Sequence, residues 1–403
     1  MPKEEQSINA QLLIRAGFID KLMAGVYTYL PLGLRVFKKI ENIIREEMNA
    51  ISGQEVLLPA LHPKEPWQKT SRWQYPEMFK LKSRAGKDYG LGWTHEEIIT
   101  PLVKKFVKSY KDLPVYVYQI QDKFRDELRA KSGLLRGIEF IMKDLYSFHK
   151  DEEDLEKYYE KVKDAYFKVF KRCGLGEQTF LTLASGGSFT KYSHEFQTIT
   201  PSGEDQIYFC QKCKIAVNKE IIAEEKHKCP QCGNKKLEVK KAIEVGNIFK
   251  LKNKFSEAFD FRFQDQNGKE NPIMMGCYGI GLGRVMGTIV EAHNDKKGII
   301  WPREVSPFHV HLIEIKNNQK ARSCARKIYK DLQGQGVEAL YDDREEKTPG
   351  EKFADADLIG IPWRLTVSER TIAKNSAELK ERSKEKTALV PFSKIKSQKF
   401  YVK

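Results

Sequence analysis

The sequence predicts an α+β fold around an antiparallel sheet, with a small insert and a separate α/β domain at the C-terminal end. Three observations carry this. Two long amphipathic helices, 34–50 and 152–172, are separated by strand-like runs and do not alternate with them one for one. PVYVYQIQDKF (114–124) and GIEFIMKDLYSFH (137–149) read as neighbouring strands of a hairpin-like pair. After IIWPREVSPFH the order becomes strand, helix, strand, helix, strand, as in a small α/β domain.

Element by element, Leu34, Phe37, Ile40, Ile43, Ile44 and Met48 fall on one helical face of 34–50. GQEVLLPAL then reads as a strand ending at Pro59. In 152–172 the apolar face is Leu155, Tyr158, Tyr159, Val162, Tyr166 and Val169, and Gly174 is a helix stop. Residues 206–243 are Lys- and Cys-rich and poor in long apolar runs, so they read as an insert. Beyond it come strand HVHLIEI, helix 318–333, strand VEALYDD, helix GEKFADADLIG and strand WRLTVSE. The expected domains are a core at 1–205, the insert at 206–240, the core again at 241–305, and a C-terminal domain at 306–403.

A chain of 403 residues exceeds one ordinary core. It has no window of about 18 uncharged apolar residues, so a membrane span is not expected. Its first 25 residues lack the pattern of a secretory signal, and the cytoplasm is the expected compartment. The net charge of +15 fits a polyanionic partner such as RNA or DNA; a generally Lys-rich composition explains it equally well. The charge is spread out: residues 306–403 carry 20 Lys/Arg against 14 Asp/Glu, too mixed for a disordered basic tail.

Cys210, Cys213, Cys229 and Cys232 give C-x2-C-x15-C-x2-C, the spacing of a zinc ribbon. Each pair sits on a tight turn, and four thiolates complete a tetrahedron. His227 is a further ligand type nearby that a Cys₄ set does not need. A closed Cys₄ site has a structural role, not a catalytic one.

The densest charged cluster is KFRDELRAKSGLLRGIEFIMKDLYSFH, residues 123–149. Arg125 and Glu127 share a face of a short strand, because side chains two apart point the same way. An Arg there can grip a phosphate bidentately; a lone R-x-E is more often a surface ion pair. GCYGIGLGR, residues 276–284, places Arg284 at the start of an apolar helix. Glycines permit close approach of a ligand, and an Arg at a helix start can reach a polyphosphate. Tight packing also explains many such glycine runs.

Together these segments resemble the class II aminoacyl-tRNA synthetases. FRDE followed by RGIEF resembles motif 2, GCYGIGLGR resembles motif 3, and the long helix with GQEVLLPAL resembles motif 1. AGVYTYLPLGLRV, THEE, LLRGIEFIMKDLYSF, SHEFQ, GCYGIG and GIIWP resemble the bacterial-type prolyl members. The resemblance covers essentially the whole chain except 206–243, where those members usually carry a large editing domain. It implies a class II catalytic domain with a C-terminal anticodon-binding domain. It also implies ATP, L-proline and tRNA(Pro) as substrates, Mg²⁺ as cofactor, and a homodimer formed through motif 1. Without the large domain, clearance of mischarged tRNA would fall to a separate deacylase.

Residue roles follow from the same resemblance. Arg125 would hold the ATP α-phosphate and the proline carboxylate, and Arg284 the γ-phosphate. Glu127 would contact the adenine side, and Phe140 would stack on the ring. Glu244 and Asn247 lie where the family completes its ATP and Mg²⁺ site. Thr94 and Glu96 would accept from the proline nitrogen. His194, Phe196 and Cys277 would line the ring pocket, with ordinary packing as the alternative for His194 and Cys277. Asp343, Arg344, Lys352 and Glu369 are candidates for anticodon contacts; for each, a solvated charged helix is the alternative. The chain departs from the family at Trp93 (usually Pro), at Asn247 in G-N-I-F (usually G-H-I-F), in G-L-G-R for G-V-S-R, and in a later start. Two other readings stand beside this one. A non-catalytic paralogue would be expected to lose the charges at 125, 127 and 284. A class II enzyme for threonine, serine or glycine would not be expected to combine T-x-E with GCYGIG.

Overall fold

A computed structural model describes residues 5–128, 130, 132–187, 189–315, 319–398 and 400. The chain forms two compact units. One comprises residues 21–27 and 40–288; the other comprises residues 1–20, 28–39 and 289–403. These bounds differ from the four sequence segments in three ways: the 206–240 segment belongs to the first unit, residues 289–305 belong to the second, and two N-terminal stretches, 1–20 and 28–39, belong with the C-terminal residues.

The larger unit is organised by a nine-stranded sheet. The elements used below are α1 (Pro31–Ala50), β1 (Gln54–Glu55), α2 (Glu96–Lys104), β2 (Val115–Phe124), β3 (Glu139–His149), α3 (Glu152–Arg172), β4 (Thr179–Ser185), β5 (Tyr192–Ile199), β6 (Asp205–Cys210), β7 (Ile215–Asn218), β8 (Glu238–Lys252), β9 (Met274–Gly281) and α4 (Leu282–Ala292). The strand order is β5-β4-β7-β6-β8-β9-β3-β2-β1, and β5 also pairs with β8. The central ladder β8-β9-β3-β2 is antiparallel throughout.

α3 shows why its sequence forms a helix. Asp151 caps it by accepting from the Asp154 amide, Glu152–Asp154 fill the first turn, and Lys171 and Arg172 the last. Gly174, at φ +80°, ends it, and the Leu175 amide reaches back to Phe170 O at 2.7 Å. All six residues of its expected apolar face are buried. In α1 the expected face holds except at Leu34, which is exposed. Of GQEVLLPAL, Gln54–Glu55 is strand, 56–60 is irregular, and Leu61 opens a separate short strand, Leu61–Pro63; Leu57 stands 75% exposed.

The Cys-rich insert is not a detached module. Its hairpin β6–β7 lies inside the main sheet, with β6 antiparallel to β8 and β7 parallel to β4.

The second unit carries a five-stranded mixed sheet. Its elements are β10 (Val310–Glu314), α5 (Gln319–Gln333), β11 (Ala339–Asp342), α6 (Pro349–Ile359), β12 (Trp363–Val367), β13 (Ser376–Glu381) and β14 (Thr387–Pro391), in the order β11-β10-β12-β13-β14. β10, β11 and β12 are parallel, as the strand–helix alternation predicts; the antiparallel pair β13–β14 has no counterpart in the sequence reading.

Candidate active site

An open cavity of about 320 Å³ lies on one face of the central ladder. Met142, Asp144 and Tyr146 line it from alternate positions of β3, so one face of that strand forms part of its wall. Cys277, Gly279 and Gly281 do the same from β9. Gly276 is there for packing, since a Cβ would lie 2.2 Å from the Tyr278 hydroxyl. Gly279 and Gly281 are different: a Cβ would meet protein atoms no closer than 3.5 Å. What those two keep is an unobstructed cavity wall.

Arg125 lies one residue past the end of β2, and its amide is anchored to Ile138 O at 2.8 Å. The expectation that Arg125 and Glu127 share a strand face is therefore corrected. The chain turns at Arg125, and the Glu127 amide bonds to Arg125 O at 2.8 Å. Both side chains still line the cavity. The Arg125 guanidinium stands 5.3 Å from the centre of the Phe140 ring, and its Nε donates weakly to Trp93 O at 3.4 Å. Burial and the nearby Arg284 charge lower its pKa, and it remains a cation.

Arg284 enters from the first turn of α4. Its Nε donates to Leu135 O at 2.9 Å, and Nη1 donates to Glu244 Oε2 at 2.8 Å. Asn247 donates to the other Glu244 oxygen at 3.2 Å, while its own Oδ1 is buried with no hydrogen-bond partner among the described residues. Behind Glu244 lies Glu195, whose carboxyl is pushed up to about 8 by burial and by the Glu244 charge.

Thr94 and Cys277 meet at a buried carboxylate. Glu96 is the first residue of α2 and fully buried. Its Oε2 accepts from Thr94 Oγ1 at 2.6 Å and its Oε1 from the Cys277 thiol at 3.2 Å. Burial and the Glu96 carboxylate push the Cys277 thiol well above its usual range, so it stays protonated and donates.

His194 and Phe196 are not brought to this cavity. Strand alternation in β5 turns both toward α3: the Tyr159 hydroxyl lies 2.7 Å from His194 Nδ1, and Phe196 packs on Tyr166, Phe167 and Phe170. Sequence reasoning missed Asp144, a buried cavity residue that holds Lys123 at 2.7 Å and Gln119 at 2.9 Å. It also missed Arg72, which contacts Glu96. Neither carries a spacing signal, because the partners of each are far apart in sequence.

The four insert cysteines do converge, with all sulfurs within 4.8 Å of one another. Cys210 and Cys232 are 3.8 Å apart. A zinc tetrahedron with Zn–S near 2.3 Å has an edge of about 3.8 Å, so the donor set fits zinc.

In the second unit, Asp343, Arg344 and Glu369 stand at or just beyond the carboxyl ends of the parallel strands β11 and β12. Asp343 and Glu369 are exposed. Arg344 is held by Asp342 at 2.8 Å and Asp355 at 3.0 Å in the wall of a second cavity. Lys352 is a correction: it is 2% exposed and donates to the carbonyls of Glu314 and Asp342, tying the ends of β10 and β11 together. It has no surface to offer a partner.

Comparison with known proteins gives a consistent result. The family described as "tRNA synthetase class II core domain (G, H, P, S and T)" matches residues 79–293, and "Anticodon binding domain" matches residues 309–398. A proline–tRNA ligase of Desulfitobacterium hafniense is 34% identical over 98% of this chain and 95% of its own. One from Moorella thermoacetica is 35% identical with the same coverage. The first alignment runs over 549 positions against 403 residues here, so at least 146 positions of that relative lie opposite gaps. Among solved structures, a prolyl-tRNA synthetase of Cryptosporidium parvum complexed with halofuginone and AMPPNP superposes with a TM-score of 0.80 at 18% identity. The match covers 96% of this chain and 75% of that one. The same protein complexed with L-proline and AMP gives 0.79. At that identity the likeness is one of fold.

Proposed function

The chain belongs to the proline–tRNA ligases of the class II tRNA synthetase family, and from that premise we propose how its cleft activates L-proline and charges tRNA(Pro). One observation carries the assignment of roles. A single cavity is lined by three arginines, Arg125, Arg136 and Arg284, and by Thr94 and Cys277, both hydrogen-bonded to the buried Glu96. The secondary ammonium of proline has two N–H donors, and the Thr94 hydroxyl with the Glu96 carboxylate is a matching acceptor pair. Arg125 then takes the proline carboxylate and the α-phosphate, Phe140 the adenine ring, with Glu127 beside it, and Arg284 the γ-phosphate. Arg284 is already fixed through Nε and Nη1, which supports a preorganised role.

The proline carboxylate attacks the α-phosphorus, and pyrophosphate leaves. The terminal ribose hydroxyl of the tRNA then attacks the adenylate carbonyl, the bond from that carbon to the phosphate oxygen breaks, and AMP leaves as the hydroxyl proton is lost. No protein nucleophile is needed; catalysis is positioning and neutralisation of phosphate charge. Mg²⁺ would add to that neutralisation, and Glu244 with the unpartnered Asn247 Oδ1 offers oxygen donors of the right kind to hold it. Asp343, Arg344 and Glu369 would face the anticodon, with Lys352 organising the strand ends beneath them.

No helix among the described residues is long and apolar enough to cross a membrane, and the cytoplasm is the compartment we assign. The exposed Leu57 and Leu61 on either side of Pro59 support a twofold dimer through motif 1. Light scattering at micromolar concentration checks this; a monomer contradicts it.

The function is tested by ATP–pyrophosphate exchange with each of the twenty amino acids. Proline gives the dominant rate, and alanine a weaker one. A pocket that admits the ring also admits alanine, and apolar contacts discriminate by only about 1–3 kcal/mol per methylene. The chain lacks the long segment present in its relatives, and a closed Cys₄ zinc has no open position for a hydrolytic water. Alanyl-tRNA(Pro) incubated with the enzyme alone therefore persists at the spontaneous rate. Faster deacylation would place an editing site in this chain; persistence leaves clearance to a separate protein.

A further inference from the structure

Arg72 is the only described residue seen to put a positive side chain on both Glu96 and its neighbour Glu97. It is 2% exposed, and Nη1 donates to Glu96 Oε2 at 3.3 Å and to Glu97 Oε1 at 3.0 Å. Five rings surround the guanidinium, those of Trp67, Tyr75, Trp93, Phe189 and Phe255, at 4.7 to 5.8 Å. Such a cage favours a cation and excludes water. Nε and Nη2 make no hydrogen bond within the described protein, so the cation is more than a hydrogen-bond fastener.

Glu96 and Glu97 are adjacent carboxylates, both 0% exposed. Two buried like charges without a cation cannot both stay ionised. Burial pushes Glu97 up to about 7; Arg72 opposes the rise, Glu96 adds to it, and Thr70 resists it with a 2.8 Å hydrogen bond. Glu96 itself receives three donors: Thr94, Arg72 and Cys277. A carboxylate has about four acceptor positions, which leaves about one for a substrate N–H.

We propose that Arg72 is a positioning residue for proline. It supplies the charge that lets Glu96 stand beside Glu97 as an anion, and it fixes which Glu96 lone pair faces the imino-acid nitrogen. This rests on the reading of Glu96 as the acceptor of that nitrogen. Arg72 does not touch the substrate.

The test is steady-state exchange on the zinc-loaded full chain, with KM measured separately for proline and ATP. Arg72→Met raises the KM for proline about 10- to 100-fold, the scale of a charge-assisted hydrogen bond, and leaves that for ATP near wild type. Arg72→Met with Glu97→Gln recovers part of the loss, because removing the second carboxylate relieves the repulsion on Glu96. A merely structural Arg72 gives no such recovery. If Arg72→Met does not fold, Arg72→Lys serves: its KM for proline alone rises, by less. Equal rises for both substrates, or a double variant no better than the single, overturn the proposal. Glu96→Ala run alongside separates the two readings. If it fails to weaken proline selectively, the assignment of Glu96 falls; if it succeeds while the Arg72 variants do not, only Arg72 falls.

Discussion

Arg125→Ala abolishes proline-dependent pyrophosphate exchange, a loss of about 10²–10³ in rate for a single transition-state charge contact. The same variant melts near the wild-type temperature. The difference follows from how little the guanidinium does for the fold: among the described residues it makes one long hydrogen bond, to Trp93 O at 3.4 Å, and lies over Phe140 and Trp93 with no described carboxylate at salt-bridge distance. Its position beside Arg284 is unfavourable in the free protein, and the mutual repulsion is part of what lowers its pKa. A triphosphate relieves that repulsion, so the cost of holding two cations together is recovered on binding. Arg284→Ala loses exchange as well, but should also lower stability. It removes bonds to Leu135 O and Glu244 and leaves the Glu244 carboxylate beside Glu195 without its cation. Exchange rates paired with thermal melting separate the two. An Arg125→Ala enzyme exchanging at near wild-type rate would remove Arg125 from the phosphate site.

The sequence made legible what depends on local periodicity. α3 was readable to its end residues because an Asp cap, an acidic first turn, a 3.6-residue apolar stripe and a terminal Gly agree. β2 and β3 were readable as β-rich runs, and the cysteine spacing announced a tetrahedral cluster. Contacts that join distant segments were not readable. Arg72 meets Glu96 across 24 residues, and Asp144 meets Gln119 across 25, with no motif around either pair. The place of β5 in the sheet was not readable either: His194 and Phe196 pack against α3, and no residue of β5 lines the cavity. Lys352 misled for another reason. Charge was taken to mean exposure, whereas its stem crosses the end of a parallel sheet where unpaired carbonyls need a donor. Composition misled at the insert, because a Lys-rich segment can still contribute strands to a sheet when alternate residues are apolar: Ile207 and Phe209 are both buried in β6.

That placement of the insert fixes what removing its metal does. The purified chain holds one zinc per subunit on Cys210, Cys213, Cys229 and Cys232. Structural zinc sites in small peptides contribute about 10–16 kcal/mol of apparent binding free energy, and those peptides unfold without it. Here the outcome is local. The hairpin β6–β7 is hydrogen-bonded to β8 and β4 whether or not zinc is present, and Ile207, Phe209, Ala216 and Ala242 pack together beneath it. Between the cysteine pairs, Ile221 and Ile222 are also anchored, buried with Val217, whereas the turns that carry Cys213, Cys229 and Cys232 lie outside both of these apolar clusters. Chelation should therefore raise amide exchange steeply at residues 211–214 and 228–236 while β6, β7 and the central ladder stay protected. Proline activation should largely survive. Two side-chain links run from the hairpin to Glu195 behind the cleft: Asn218 of β7 donates to it at 3.1 Å, and Asp205 of β6 accepts from Gln197, which also donates to Glu195; both start from strands that pairing holds in place without the metal. Metal analysis without zinc in protein prepared free of chelators would refute the site. Loss of exchange in step with loss of zinc would show that the ribbon, through Asn218 and Glu195, helps to set the position of Glu244 and so belongs to the catalytic apparatus.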